Sequence, residues 1–204
     1  MAPKLIGFIL RHGETVTNAE EKVRGWMDSP LNQTGMAQAH AAKKFLGEKP
    51  LKFIYCSPLL RAFMTADIAS APHKLMVYQH RGMLPWNTGM FAGMSKEDTK
   101  EAVKLFVGSR TVEIPNGESL EAFESRIFAF FGAALKLAQK NGLTLWVCHN
   151  STITALAHMM VGPDANHLED TVKPGGIAEI WFDGKYHTLK PVFGQPEAST
   201  FGVS

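Results

Sequence analysis

Short apolar segments alternate with longer amphipathic ones along most of this chain, and that alternation strongly limits the folds open to it. Continuous apolar runs predict buried strands at 4–10, 51–56, 74–78 and 143–148. Helical periodicity and capping residues predict helices over about 35–47, 58–70, 95–107, 119–140 and 151–161. Strands that alternate with helices are typical of a mostly parallel sheet covered on both faces. We therefore predict an α/β fold.

The end of the chain has a different pattern. Residues 177–182 (IAEIWF) and 185–192 flank Asp183-Gly184, a pair that favours a two-residue turn. This segment predicts a β-hairpin, which would give the sheet an antiparallel edge. At 204 residues, with no internal repeat or linker, the chain is expected to form a single domain over 1–204.

Charge and hydropathy exclude several classes of partner. The formal net charge is only +2, which is not the strongly basic footprint of a general nucleic-acid binder. The apolar runs are all shorter than the roughly 20 residues that span a bilayer, so no membrane partner is expected. The two cysteines, Cys56 and Cys148, lie in apolar settings and fit a reducing compartment. We therefore expect a cytoplasmic protein. Its oligomeric state is undetermined, and a homodimer remains an option.

Three chemically capable residues follow predicted strands. His12 comes just after the first strand, Arg61 lies early in the helix after the second, and His149 directly follows the fourth. In open α/β sheets, ligands bind beyond the carboxyl ends of the strands. These three side chains are therefore predicted to converge at one edge of the sheet.

The segment Arg11-His12-Gly13-Glu14-Thr15, with Asn18 shortly after it, is the most informative motif. Gly13 permits a tight turn and a close approach of backbone and ligand. Arg11 can hold a phosphate with two hydrogen bonds, and a neutral His12 can act as a nucleophile. Taken alone, the motif is also compatible with a strand-end histidine beside a surface arginine.

With its neighbours, this motif resembles the histidine phosphatase superfamily, in its phosphoglycerate-mutase-like branch. Five blocks carry the resemblance, in the family's order: 9–18 (ILRHGETVTN), 24–35 (RGWMDSPLNQTG), 57–66 (SPLLRAFMTA), 115–119 (PNGES) and 148–150 (CHN). The resemblance covers nearly the whole chain. It implies a three-layer α/β/α sandwich and a phosphohistidine intermediate.

The resemblance also assigns roles to individual residues. His12 would be the nucleophile, while Arg11, Arg61 and His149 would surround the phosphoryl group and Asn18 would help to bind it. Two guanidiniums and a second imidazole compensate phosphoryl charge without a metal. The remaining histidines lack ligand spacing, so we expect no metal and no cofactor. Glu14, fixed within the motif, is expected to be structural.

The sequence departs from the family pattern at the general acid. Where family members commonly carry a glutamate that protonates the leaving group, residues 83–89 (MLPWNTG) contain no acid, and Pro85 occupies the corresponding position. Glu118 is the first candidate substitute, although it could simply cap its helix. Glu97 or Asp98 is the second, although both could simply be solvated.

A second departure is Asn150, where the family often has glycine. Its amide could contact the phosphate or merely support the loop.

Phosphatases and mutases of this family share one machinery. The mutases have a long arginine-rich insertion, whereas residues 94–116 are short and carry only four cations, with no adjacent arginine pair. These cations are Lys96, Lys100, Lys104 and Arg110. We therefore predict a phosphomonoester hydrolase acting on a small phosphorylated metabolite. The alternatives are a phosphoglycerate-type mutase and a catalytically weakened phosphate-binding protein.

Overall fold

The computed structural model describes residues 2–161 and 172–194. Its strands are β1 (Lys4–Arg11), β2 (Phe53–Cys56), β3 (Val77–Gln79), β4 (Thr144–Cys148), β5 (Ile177–Phe182) and β6 (His187–Phe193). Its α-helices are α1 (Val16–Ala19), α2 (Gln33–Leu46), α3 (Leu60–Ser70), α4 (Lys96–Ser109), α5 (Leu120–Asn141) and α6 (Asn150–Val161). Short 3-10 turns lie at Ala71–His73, Arg81–Met83 and Gly89–Phe91.

The strands form one six-stranded sheet in the order β3-β2-β4-β1-β5-β6. The first four of these strands are mutually parallel, whereas β5 pairs antiparallel with β1 and β6 pairs antiparallel with β5. The prediction of a mostly parallel sheet with an antiparallel edge hairpin is therefore confirmed. No described helix is both long and apolar enough to cross a membrane.

Two apolar clusters cover the two faces of the sheet. Along β4, Trp146 and Cys148 belong to one cluster, and the alternating residues Leu145 and Val147 belong to the other. Helices α5 and α6 pack on the first face, while α2 and α3 pack on the second. This alternation is what period-two side chains impose on a strand buried from both sides. The three-layer sandwich is thus confirmed.

Several predicted boundaries are wrong. Helix α2 begins two residues before the predicted start, and it is capped by Asn32, whose side chain accepts a hydrogen bond from Gly35 N. Helix α3 begins at Leu60 and leaves Pro58 outside, since Leu59 is still extended; Leu60 N donates to Asp28 Oδ1 of a distant loop. The short helix α1 lies within a segment that the sequence predicts as loop.

The third strand is shifted along the sequence from 74–78 to Val77–Gln79. The 3-10 turn Ala71–His73 precedes it, and the next residue, Lys74, has a left-handed φ of 54°. A residue in that conformation cannot lie in a strand, so pairing starts later.

The strand register brings the carboxyl ends of three strands together. Arg11 pairs with Cys148, and Cys56 pairs with Val147. His12 and His149 therefore leave neighbouring strands at the same level, and His12 N donates to Cys148 O over 2.9 Å.

Candidate active site

A cavity of about 1160 Å³ lies at this edge of the sheet. Four residues that sequence reasoning singled out as candidates line it: His12, Arg61, His149 and Asn150. The predicted convergence of His12, Arg61 and His149 is confirmed. Pro85, which occupies the usual glutamate position, also lines the cavity.

His12 is held in one tautomer. Its side chain is buried, and Nδ1 lies 2.7 Å from the carbonyl oxygen of Gly13. Because a carbonyl only accepts, Nδ1 carries the proton and Nε2 carries the lone pair. Burial, reinforced by the positive charges of Arg61 and Arg24, holds the pKa of His12 well below its usual value. The ring is therefore neutral and nucleophilic at pH 7.

Gly13 is needed for the packing of the loop after β1. A Cβ atom there would lie 2.5 Å from the carbonyl oxygen of Gly35 at the start of α2, a distance that real Cβ atoms do not reach. Gly13 N also donates to Thr65 Oγ1 over 3.1 Å. Gly13 does allow a close approach, as predicted, but the atoms in contact with it belong to the backbone of Gly35 and not to a ligand.

His149 stands beside His12, with 5.1 Å between the ring centroids and 60° between the ring planes. Neither ring nitrogen has a hydrogen-bond partner among the described residues, although both atoms are buried. Burial first, and then the charge of Arg61, holds the pKa of His149 well below its usual value. Because unsatisfied buried nitrogens cost roughly 1–3 kcal/mol each, this ring favours a bound partner in the cavity.

Arg61 is almost fully buried in the first turn of α3. Its Nη1 donates to Met27 O over 2.9 Å and its Nη2 donates to Gly25 O over 3.1 Å. Within the described residues, its buried Nε has no partner. Burial and the nearby Arg24 lower the pKa of Arg61 to about 10, so it remains a cation at pH 7. Arg61 thus fixes the loop that contains Arg24 and contributes charge to the cavity.

Arg24 is a cavity residue that sequence reasoning missed. It lines the cavity, and its Nη1 is buried without a partner in the described chain. Its charge lowers the pKa of His12, His149 and Arg61, which places it close to all three. The signal was available, because Arg24 opens the second block of the family resemblance. Arg24 and Arg61 thus line the cavity together, while Arg11 is not among the lining residues.

Arg11 is not among the residues that line the cavity, but it is hydrogen-bonded to Asn150, which is. Arg11 Nη1 donates to Asn150 Oδ1 and to Val172 O, each over 2.9 Å. The positive charge of Arg11 also contributes to the lowered pKa of both His12 and His149. Of the two options for Asn150, loop support is therefore observed. Phosphate contact by either residue stays a prediction.

The candidate acids occupy other positions. Glu118 is not among the residues that line the cavity, and its Oε1 accepts from Asn87 N over 2.9 Å and from Arg126 Nη2 over 2.6 Å. Glu97 and Asp98 are exposed in the first turn of α4. The capping alternative for Glu118 is wrong, because Ser119 caps α5; Glu118 instead links Asn87 and Arg126. The solvated alternative fits Glu97 and Asp98. Of the described residues that line the cavity, only Glu124 is acidic.

Two other residues of the first motif stabilise its loop. Asn18 Oδ1 accepts from Thr15 N and Thr15 Oγ1 in a capping box at α1, and Asn18 is not among the cavity-lining residues. Its role in phosphate binding stays a prediction. Glu14 accepts a hydrogen bond from Asn32 Nδ2 over 2.8 Å, in agreement with a structural role.

Other chemistries find little support in these residues. Within 2–161 and 172–194, no group of three or more His, Cys, Asp and Glu residues is arranged to hold a metal ion. Burial raises the pKa of the Cys148 thiol, so this cysteine is not an activated nucleophile. The arrangement instead fits a phosphoryl group, because cations and imidazoles surround a neutral nucleophile.

The chain is similar to known proteins in both sequence and structure. Residues 8–192 match the model of the histidine phosphatase superfamily (branch 1). The chain is 38% identical to the phosphoglycerate mutase-like protein 4 of Arabidopsis thaliana, with 89% of this chain and 82% of the relative covered. It is 32% identical to a 2,3-bisphosphoglycerate-dependent phosphoglycerate mutase of Bartonella tribocorum, covering 85% and 89%. Its structure matches that of the alpha-ribazole phosphatase of Shigella flexneri with a TM-score of 0.79 and 26% identity, covering 91% and 94%.

Proposed function

The chain belongs to the histidine phosphatase superfamily (branch 1), and from this premise we propose that it is a phosphomonoester hydrolase that forms a phosphohistidine at His12. The observation that carries the proposal is the state of His12. Its Nδ1 proton is committed to Gly13 O, and burial together with the surrounding cations lowers its pKa and keeps the ring neutral, so Nε2 is available for attack.

The reaction has two balanced steps. In the first, His12 Nε2 forms a bond to phosphorus as the ester P–O bond breaks, and the departing oxygen takes a proton from solvent. In the second, water attacks phosphorus and returns a proton to solvent, the electron pair of the breaking N–P bond returns to Nε2, and inorganic phosphate leaves with His12 neutral again. Arg11, Arg24 and Arg61 compensate the charge on the phosphoryl oxygens, and His149 donates a hydrogen bond to one of them.

The missing acid limits which esters react quickly. General acid catalysis contributes about 10²–10⁴-fold, and Pro85 at the usual glutamate position cannot supply it. Substrates whose leaving group departs as a stable anion are therefore expected to react faster than alkyl esters.

Hydrolysis is favoured over phosphoryl transfer between two positions of a phosphoglycerate, because a mutase must also bind the substrate carboxylate. Of the four cations in 94–116, three are paired with carboxylates: Lys96 with Glu21, Lys104 with Glu101 and Arg110 with Glu124. Little positive charge remains on that segment for a substrate carboxylate. Because one relative is named as a phosphoglycerate mutase, a phosphoglycerate mutase is the second candidate function and the test includes it.

The test compares two reactions of the purified protein. We expect nitrophenyl phosphate to release inorganic phosphate at a rate well above that of a His12→Ala control, and exhaustive chelation with EDTA to leave the rate unchanged. Interconversion of 3- and 2-phosphoglycerate that exceeds phosphate release would establish a mutase instead. Tight binding of phosphate without turnover of either substrate would establish the weakened phosphate-binding protein. Loss of activity with EDTA and rescue by a divalent ion would overturn metal independence.

A further inference from the structure

The cavity extends well beyond the phosphoryl site. Asn150, Thr154 and His158 lie four residues apart on one face of α6, and all three line it. At 1.5 Å of rise per residue, the distance along the helix from Asn150 to His158 is about 12 Å. A three-carbon phosphate, built from bonds of about 1.5 Å, spans only roughly half of that distance. The cavity volume of about 1160 Å³ likewise exceeds what such a molecule fills.

A polar cluster marks the far region of this cavity. Glu124 of α5 is buried, forms an ion pair with Arg110 through Oε2, and has its Oε1 3.7 Å from His158 Nδ1. Among the described residues, none donates a hydrogen bond to Glu124 Oε1. Because Glu124 lines the cavity, a carboxylate oxygen with unused acceptor capacity there favours a donor from the ligand.

The rest of the wall beyond the phosphoryl site is largely apolar. Its apolar members come from α4, α5 and α6: Val103, Val107, Leu120, Phe123, Phe128 and Ala155. Two further cations of the lining, Lys22 and Lys96, are paired with Glu20 and Glu21. A ligand that reaches Glu124 therefore needs an apolar body.

We propose that Arg110, Glu124 and His158 form a second binding site in this cavity, which takes a hydroxyl group at the far end of an elongated phosphomonoester. The inference rests on the proposed function for the phosphate end. A hydroxyl group donates to Glu124 Oε1 and accepts from the Arg110 guanidinium, so it satisfies both members of the pair. A second phosphate would be repelled by Glu124, and an ammonium group would be repelled by Arg110.

Calorimetric binding of two phosphonates, which cannot be hydrolysed, tests the proposal. One is an ω-hydroxyalkyl phosphonate whose extended length matches the span of about 12 Å, and the other is the same chain with a terminal methyl group. We expect the wild-type protein to bind the hydroxylated ligand about tenfold more tightly, because a hydrogen bond to a charged group typically changes a dissociation constant by that factor or more.

Glu124→Leu is expected to abolish this preference. Leucine is similar in size to glutamate and suits the apolar surroundings, so we expect Glu124→Leu to fold. Arg110→Asn provides a second variant if it does not. Asparagine tolerates the φ of 37° at that position. The matched control is Glu121→Leu, one turn earlier on α5 and exposed outside the cavity, which is expected to keep the tenfold preference.

The outcomes separate this proposal from the proposed function. Equal binding of the two phosphonates by the wild type, or a preference that survives in both Glu124→Leu and Arg110→Asn, would overturn the second site while phosphatase activity stands. A hydroxyl preference without hydrolysis of nitrophenyl phosphate would support the second site and overturn the function. Failure of both phosphonates to bind would overturn both.

Discussion

Glu118→Gln separates a structural role of this residue from a catalytic one. The carboxylate of Glu118 joins two segments, because it accepts hydrogen bonds from Asn87 N and from Arg126 Nη2. Glutamine keeps an acceptor oxygen for Asn87 but loses the charge that pairs with Arg126. We therefore expect this variant to lose stability and to keep its substrate preference.

The magnitude follows from the burial of the pair. The side chains of Arg126 and Glu118 are 22% and 16% exposed, so solvent screens them less than a surface ion pair. Exchanging a charge-assisted hydrogen bond for a neutral one costs about 1–2 kcal/mol in free energy of unfolding. In a chain of this size, each kcal/mol lowers Tm by roughly 2–4 °C, so a fall of about 2–8 °C is expected.

The assay combines thermal unfolding with kcat/KM for nitrophenyl phosphate and for an alkyl phosphate. We expect the two kcat/KM values to change by the same factor, because a structural defect does not depend on the leaving group. Selective slowing of the alkyl phosphate at an unchanged Tm would refute this reasoning. It would identify Glu118 as the acid that protonates the departing oxygen.

Three further predictions concern the phosphoryl site. Pro85→Glu should accelerate alkyl esters relative to nitrophenyl phosphate, and no gain in a folded variant would count against the missing-acid argument. Arg24→Gln should lower kcat/KM by about 10²-fold through the loss of one transition-state cation, whereas an unchanged value would remove Arg24 from the site. In phosphate-free buffer, stability should fall as pH drops below about 6.5, because the unfolded chain protonates histidines whose pKa is lowered in the native protein. Each such histidine contributes up to about 1.4 kcal/mol per pH unit to the slope of the free energy of unfolding against pH. This slope should therefore be smaller in His149→Asn. An equal slope in the variant and the wild type would contradict this.

The order of strands and helices could be predicted from the sequence because its signals are local. The apolar runs of the inner strands and the helical periodicity of α5 need no knowledge of distant residues. The family resemblance and the convergence of parallel strand ends then located His12, Arg61 and His149 correctly.

The remaining features depend on pairs of residues far apart in sequence. At the start of α3, Leu60 N donates to Asp28, 32 residues earlier in the chain. Arg126 engages Glu118 from a position two turns along the next helix, which makes Glu118 part of a structural ion pair. No periodicity in the chain encodes such side-chain pairings, and for that reason sequence reasoning considered Glu118 as an acid or a helix cap and not as an ion-pair partner.

The polar cluster of the far cavity was missed for a related reason. Arg110 directly follows α4, Glu124 lies on α5 and His158 lies on α6. In the sequence, each alone has the appearance of an ordinary surface residue. Their significance comes from the packing of α4, α5 and α6 around one cavity.

Trapping the covalent intermediate tests the central claim most directly. The protein is mixed with ³²P-labelled substrate and denatured in alkali, which preserves phosphohistidine, and the label is then located by peptide mapping. The account predicts stoichiometric label on the peptide that contains His12, released by mild acid, and none on His12→Ala. Equal labelling of His12→Ala, or label that resists acid, would contradict it.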